Sequence, residues 1–294
     1  MNHRNLEGII PYLISPIDLN TGKVRKEVLS KLVEDLIDKG VHGLSPLGST
    51  GEIHYLSWEQ KKEIVETVIT STNGRVPVVP GVSAYTSTDA IEQINFFEDL
   101  GVEGIVLIID TYFPLSKSDI IRFFREVSNS VSCPIVLYNN PRLSGIDLTP
   151  DIVSELSVEP NIQYFKDATG NTGRLLSITN NSEIKIFSAS AHIPQFVMEM
   201  GGVGWMAGPA CVFPEESVRL YNLIQSKRQN EAHKLQRKLW QINEAFQKYN
   251  LAACIKTALE IKGYDVGDPV SPVSPIESKG KEEIRNIIKN ISII

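Results

Sequence analysis

Along most of the chain, short apolar runs rich in β-branched residues alternate with longer segments whose apolar positions recur every three to four residues. The first pattern reads as buried parallel strand and the second as amphipathic helix. Strands are expected at Gly8 to Leu13, Val41 to Ser45, Val76 to Pro80, Gly104 to Ile108, Pro134 to Tyr138, Ile162 to Lys166, Ile184 to Ser188 and Val203 to Ala207. Helices are expected between them at Arg25 to Lys39, Trp58 to Ser71, Ser87 to Leu100, Ser116 to Ser130, Thr149 to Leu156, Thr172 to Thr179, Ile193 to Met200 and Pro214 to Ser226. Ser57 and Gln60 stand at capping-box spacing, and Pro150 after Thr149 occupies a first helical position. Eight strands, each followed by a helix, is the count that closes a (β/α)8 TIM barrel. From Gln229 the pattern is helical only (Gln229 to Gln247, Leu251 to Ile261, Lys281 to Ile291), with the proline-rich Pro269 to Pro275 as a break. The expected organisation is therefore α/β: a barrel over residues 1–226 and a C-terminal helical extension over 227–294.

No GxGxxG follows the first strand, which removes support for a doubly wound dinucleotide-binding sheet. A hydrophobic share of 42%, a charged share of 22% and a net charge of −6 are those of a soluble globular protein with a large core. There is no basic stripe interleaved with aromatics, so nucleic acid is not an expected partner. No run approaches the ~18 apolar residues of a membrane span. Met1 to Glu7 lacks a signal-peptide core, and Cys133, Cys211 and Cys254 are scattered. These point to a cytoplasmic protein with reduced, buried thiols. The five histidines (His3, His42, His54, His192, His233) show no ligand spacing, so no metal is assigned.

In a barrel, chemistry gathers at the carboxyl ends of the strands. Three segments fall there: Gly48-Ser49-Thr50-Gly51-Glu52 after the second strand, Tyr138-Asn139-Asn140-Pro141 at the end of the fifth, and Lys166 at the end of the sixth. Burial disfavours an ammonium, and the neutral amine it leaves can attack a carbonyl. A nearby phenol can carry protons, and a glycine-flanked turn offers N–H groups to an anion. Each piece also has a plainer reading: Lys166 as a solvated strand-end charge, Tyr138 as an ordinary strand tyrosine, Gly48 to Glu52 as a tight turn. Glu52 fits a loop-fixing hydrogen bond better than acid–base work. The turn is not a P-loop, since no lysine follows its second glycine.

Taken together, Gly48 to Glu52, Tyr138 to Pro141 and Phe165-Lys166-Asp167-Ala168-Thr169-Gly170 resemble the dihydrodipicolinate synthase / N-acetylneuraminate lyase family. The resemblance runs through the helical tail and Gly201 to Gly204. It implies a Schiff-base lyase or aldolase acting on pyruvate or a related 2-oxo acid, a homo-oligomer (tetramer or dimer), and no cofactor. Carried over by position, Lys166 is the imine-forming lysine, Tyr138 the proton-transferring tyrosine and Ser49 the hydroxyl that links it to solvent. Thr50 holds the substrate carboxylate, with Gly48, Met206 and Arg142 as further substrate contacts. Tyr112, in Thr111-Tyr112-Phe113-Pro114, matches the aromatic pair of which one member crosses a dimer interface. Two positions depart from the family. Leu143 stands where the synthases carry an arginine for aspartate semialdehyde, while Arg142 comes one residue early. Ser188-Ala189-Ser190-Ala191-His192 lacks the acidic pair of sialic acid lyases. The acceptor pocket is accordingly expected to be apolar, lined by Tyr112, Phe113, Leu143, His192 and Trp205. The alternatives are a family relative with another acceptor (a sugar-acid or other 2-oxo acid aldolase or dehydratase, or an N-acetylneuraminate lyase-like enzyme) and a non-catalytic carboxylate-binding barrel. Loss of Lys166 or Tyr138 would mark the last, and both are present. A pyridoxal-phosphate enzyme would need a phosphate cradle that is not evident.

Overall fold

A computed structural model of the chain describes residues 4–189 and 193–291. Seven parallel strands, β1 (Gly8–Pro11), β2 (Gly81–Ala84), β3 (Ile105–Ile109), β4 (Ile135–Asn139), β5 (Ile162–Asp167), β6 (Lys185–Ser188) and β7 (Gly204–Ala207), form one sheet in the order β1-β7-β6-β5-β4-β3-β2. Each expected strand except the second and third reappears within a residue or two. The second, Val41 to Ser45, makes only single bridges, Tyr12 to Ser45 on one side and Leu44 to Val78 on the other. Those bridges close the ring between β1 and the chain leading into β2, so the sheet curls into a (β/α)8 barrel.

The third strand, expected over Val76 to Pro80, is recorded instead at Gly81–Ala84. Its earlier residues still join the ladder, through Val79 N to the Leu44 carbonyl (2.8 Å) and Glu103 N to the Val78 carbonyl (3.1 Å). Pro46, Pro77 and Pro80 lack an N–H, and each interrupts pairing where a regular strand would continue.

Strand alternation sorts the core into two layers. Ile10, Tyr12, Val79, Val106, Ile108, Val136, Tyr138, Tyr164, Phe187 and Met206 cluster inside the ring. Ile105, Leu107, Ile135, Leu137, Phe165 and Ile186 face outward, against the helices. Both faces are covered, which is why the strands read as continuous apolar runs.

The helices follow the expected periods closely: Lys26–Asp38, Trp58–Thr72, Ser87–Asp99, Lys117–Ser128, Pro150–Leu156, Thr172–Thr179, Pro194–Glu199 and Pro214–Gln225. Ser57 and Gln60 form the expected reciprocal capping box. The pattern missed three short turns of helix, Ile53–Tyr55, Pro141–Ser144 and Pro209–Val212, each too brief to show a period. In the tail, Gln229–Lys248, Leu251–Ile261 and Ser278–Ile291 pack on one another, and the outer apolar layer runs unbroken into Leu239, Ile255 and Ile284.

Candidate active site

Register places the two central residues. Between β4 and β5 the pairing slips by one residue, from Ile135–Ile162 to Val136–Tyr164, leaving Gln163 exposed and unpaired. This bulge turns Tyr164 and Lys166 inward; an uninterrupted ladder would put Lys166 on the outer face. Beyond it Tyr138 stands opposite Lys166, and Asn139 opposite Asp167.

Lys166 is only 4% exposed. Its Nζ lies between two rings, 3.9 Å from the centroid of Tyr138 and 4.3 Å from that of Tyr12. Burial pulls its pKa down to about 7, against the opposing attraction of Asp167. The amine is thus held substantially uncharged near neutrality, the state in which it is a nucleophile. Burial pushes the Tyr138 phenol up, while hydrogen bonds from Asn140 and Ser49 pull it back. The Asn140 amide donates to the Tyr138 oxygen at 2.9 Å.

Behind this pair lies a polar brace. The Asn139 amide donates to Asp167 at 2.8 Å and to Asp147 at 3.1 Å, and Asn139 Oδ1 accepts from Leu148 N at 2.8 Å. Arg174 grips Asp147 with two bonds of 2.6 and 2.7 Å and approaches Asp167 at 3.8 Å. Asn139 and Asp167 leave the strands one residue beyond the reactive pair, so their bond fixes the register of Tyr138 against Lys166.

Across the ring, the turn Gly48 to Glu52 folds back on itself, with Gly51 N and Ile53 N donating to the Gly48 carbonyl and Glu52 N to that of Ser49. Those bonds use neither the Ser49 nor the Thr50 amide. Thr50 is buried. Gly48 must be glycine because a Cβ there would lie 2.2 Å from the Tyr12 ring, and a Cβ on Gly208 would sit 2.8 Å from Thr50 Oγ1. Glu52 holds the turn in place, as expected. Its Oε1 accepts from Val270 N at 2.7 Å and its Oε2 meets Lys256 Nζ at 2.6 Å in a fully buried ion pair. Lys256 also donates to the Asp268 carbonyl at 2.9 Å. The helical tail therefore clamps the loop.

Of the residues expected from sequence, Lys166, Tyr138, Ser49, Thr50, Gly48 and Met206 meet at this end of the barrel. Tyr112 does not: it is 84% exposed and packs edge-on to Phe113, 5.0 Å between centroids. Arg142 is exposed on the short helix Pro141–Ser144, and Leu143 is exposed beside it. Trp205 is a correction. It is buried on the outer face with Ile9 and Ala207, against Val218 and Tyr221, because alternation in β7 turns its neighbour Met206 inward instead. His192 lies outside the described residues. Sequence reasoning missed Tyr12, Asn140, the Asn139–Asp167 brace and Lys256. Among the described residues no cluster of three or more His, Cys, Asp or Glu could hold a metal ion.

Residues 5–291 match the model of the Dihydrodipicolinate synthetase family. A 4-hydroxy-tetrahydrodipicolinate synthase from Methanococcus maripaludis strain S2 is 28% identical over 290 residues, 98% of this chain and 100% of the relative. One from Methanopyrus kandleri is 29% identical over 293 residues, 98% and 97% of the two chains. Among solved structures, YagE, a prophage protein of the dihydrodipicolinic acid synthase family from E. coli K12 crystallised with pyruvate, superposes with a TM-score of 0.92 at 28% identity, covering 98% of this chain and 99% of that one. The 4-hydroxy-tetrahydrodipicolinate synthase of Methylacidiphilum fumariolicum SolV gives 0.93 at 26% identity, covering 98% and 96%.

Proposed function

This chain belongs to the dihydrodipicolinate synthetase family, and we propose that its site works as a class I lyase on pyruvate or a closely related 2-oxo acid, through an imine on Lys166. The observation that carries the reading is the Lys166 amine, buried between two aromatic rings with its pKa near 7. The amine adds to the C2 carbonyl, giving a carbinolamine. Tyr138 passes a proton to the departing hydroxyl, water leaves, and the imine forms. Ser49 connects the phenol toward solvent, while Thr50 and the spare amides of its turn take the carboxylate. The protonated imine then accepts the electron pair when the C3–C4 bond breaks, or when C3 gives a proton to the Tyr138 oxygen before attacking an acceptor. Met206 floors the pocket.

Incubation with pyruvate followed by borohydride should fix one pyruvate-derived group on Lys166, seen by intact mass and peptide mapping. An unmodified chain, or a group on another lysine, refutes the assignment.

For the acceptor, the exposure of Leu143 favours a partner other than aspartate semialdehyde. Arg142, on the solvent side of the same short helix, offers that aldehyde's carboxylate no buried grip. A sugar-acid or other 2-oxo acid fits this opening better, and rates with a panel of aldehydes and 2-oxo acids decide between them. We assign Tyr112 to a neighbouring subunit's site within a homo-oligomer, dimer or tetramer, since it stands clear of its own chain; sedimentation equilibrium tests the assembly. Three buried cysteines and the lack of any helix, among the described residues, long and apolar enough to cross a membrane support a cytoplasmic setting.

A further inference from the structure

Tyr12 is the one part of the site that neither the motifs nor the proposed steps use. Its ring forms the wall of Lys166 opposite Tyr138. Its side chain is 3% exposed, and its hydroxyl has no hydrogen-bond partner among the described residues. Leaving a buried hydroxyl unpaired is unfavourable, because its lost hydration is not replaced. Phenylalanine would fill the same space without that penalty.

Nearby groups leave the hydroxyl without a partner. Ser45, its neighbour across the bridge, stands close enough to pull the phenol's pKa back a little, but its hydroxyl already donates to the Val79 carbonyl at 2.7 Å and makes no hydrogen bond of regular geometry with the phenol. The Tyr138 oxygen is taken by Asn140 and Ser49. Lys166 lies over the ring face rather than at the hydroxyl. Tyr164, a second tyrosine in the same barrel interior, shows what a merely structural phenol does there: its hydroxyl accepts from Leu6 N at 3.0 Å.

We propose that the Tyr12 hydroxyl is a substrate-binding group, donating to the carboxylate of the 2-oxo acid joined to Lys166. Three features direct it to the carboxylate. The edge of the ring packs on Gly48, whose turn carries the spare amides of Ser49 and Thr50. The carboxylate of a 2-oxo acid is bonded directly to the carbon that joins the amine, so it lies close beside that turn. Burial and the neighbouring Tyr138 hold the Tyr12 phenol well above its ordinary pKa, so it stays a donor, and a phenol–carboxylate bond in a dry site is of the strong, charge-assisted kind. The orphan hydroxyl of the empty site is then satisfied when substrate binds. This role deepens the lyase reading and depends on it.

The test compares wild type with Tyr12→Phe by borohydride trapping at varied concentrations of two carbonyl compounds, pyruvate and the carboxylate-free hydroxyacetone. Wild type must trap pyruvate on Lys166; if it does not, the lyase reading itself falls, and this inference with it. Given that adduct, Tyr12→Phe should raise the half-saturating pyruvate concentration about tenfold, leave hydroxyacetone unchanged, and keep or raise the melting temperature, because an unpaired buried polar atom has been removed. Equal pyruvate curves for the two proteins overturn the inference while leaving the lyase intact. So does an equal loss for both carbonyls, or a lowered melting temperature with no selective loss, since either marks a phenol that serves packing alone.

Discussion

The two sides of the barrel mouth are built on opposite plans. On the β4–β5 side the ladder is continuous beyond one bulge, the backbone groups are paired to the last residue, and the Asn139–Asp167–Asp147–Arg174 brace locks what the ladder leaves. That side carries the amine and the phenol, whose chemistry demands fixed geometry. On the β1–β2 side, prolines break the ladder into single bridges, and the chain leaves the sheet early. That side keeps backbone amides and a phenol unspent, and holds its loop from outside through Glu52 and Lys256. The contrast separates two needs of one site: rigid placement for the reacting groups, and unsatisfied donors for the ligand.

The sharpest way to break this division is at Lys166. Lys166→Met should abolish trapping and turnover entirely. It should also raise stability near neutral pH, because burying an amine is unfavourable while the unfolded chain holds it protonated. Between about pH 7 and the ordinary lysine range the unfolded chain binds more protons than the folded one, so wild-type stability should rise with pH across that window. Urea unfolding of both proteins at pH 6.5 and 9 should show the gap narrowing as pH rises; a constant gap would mean that the amine is not buried uncharged. The rate of trapping should likewise climb through about pH 7 and then level off.

Tyr138→Phe removes the proton carrier on the rigid side and leaves the amine in place. A fall of roughly 10²–10⁴ in turnover is expected, with borohydride still able to find some imine after long incubation. A fall in turnover of less than tenfold would assign proton transfer elsewhere. On the other side, Glu52→Gln leaves Lys256 as a buried charge without its carboxylate and should cost about 3–5 kcal/mol in urea unfolding. Asn140→Ala gives the smallest change: without its amide the Tyr138 phenol loses one stabilising donor, its pKa rises, and the alkaline side of the kcat profile should move upward, with rates at neutral pH altered less than tenfold.

The sequence announced the rigid side far better than the open one. Lys166 and Tyr138 end apolar runs, where chemistry in a barrel is expected, and the helices followed their periods to within a few residues. The bulge at Gln163 left no such trace, because a single polar residue within an apolar run reads as ordinary alternation; the structure alone shows that it shifts the register. Tyr12 was passed over for a related reason. An aromatic residue in a first strand is usual core material, and its approach to Lys166 exists only once the ring is closed. The family resemblance alone aims Trp205 into the acceptor pocket, whereas the alternation of β7 assigns the inward direction to Met206. Glycine at position 48 was legible as a turn residue, but its reason, the Tyr12 ring 2.2 Å from where a Cβ would stand, belongs to tertiary packing.

The clasp between Glu52, Lys256 and the Val270 amide has a consequence for how the molecule comes into being. During synthesis the lysine and tyrosine emerge well before the residues that secure the anion-holding turn. A nascent chain halted before residue 256 would own its nucleophile and still lack a firm grip on substrate, so competence arrives only when the tail has docked. Limited proteolysis of arrested chains would show this as protection at the Gly48 turn that appears late and all at once.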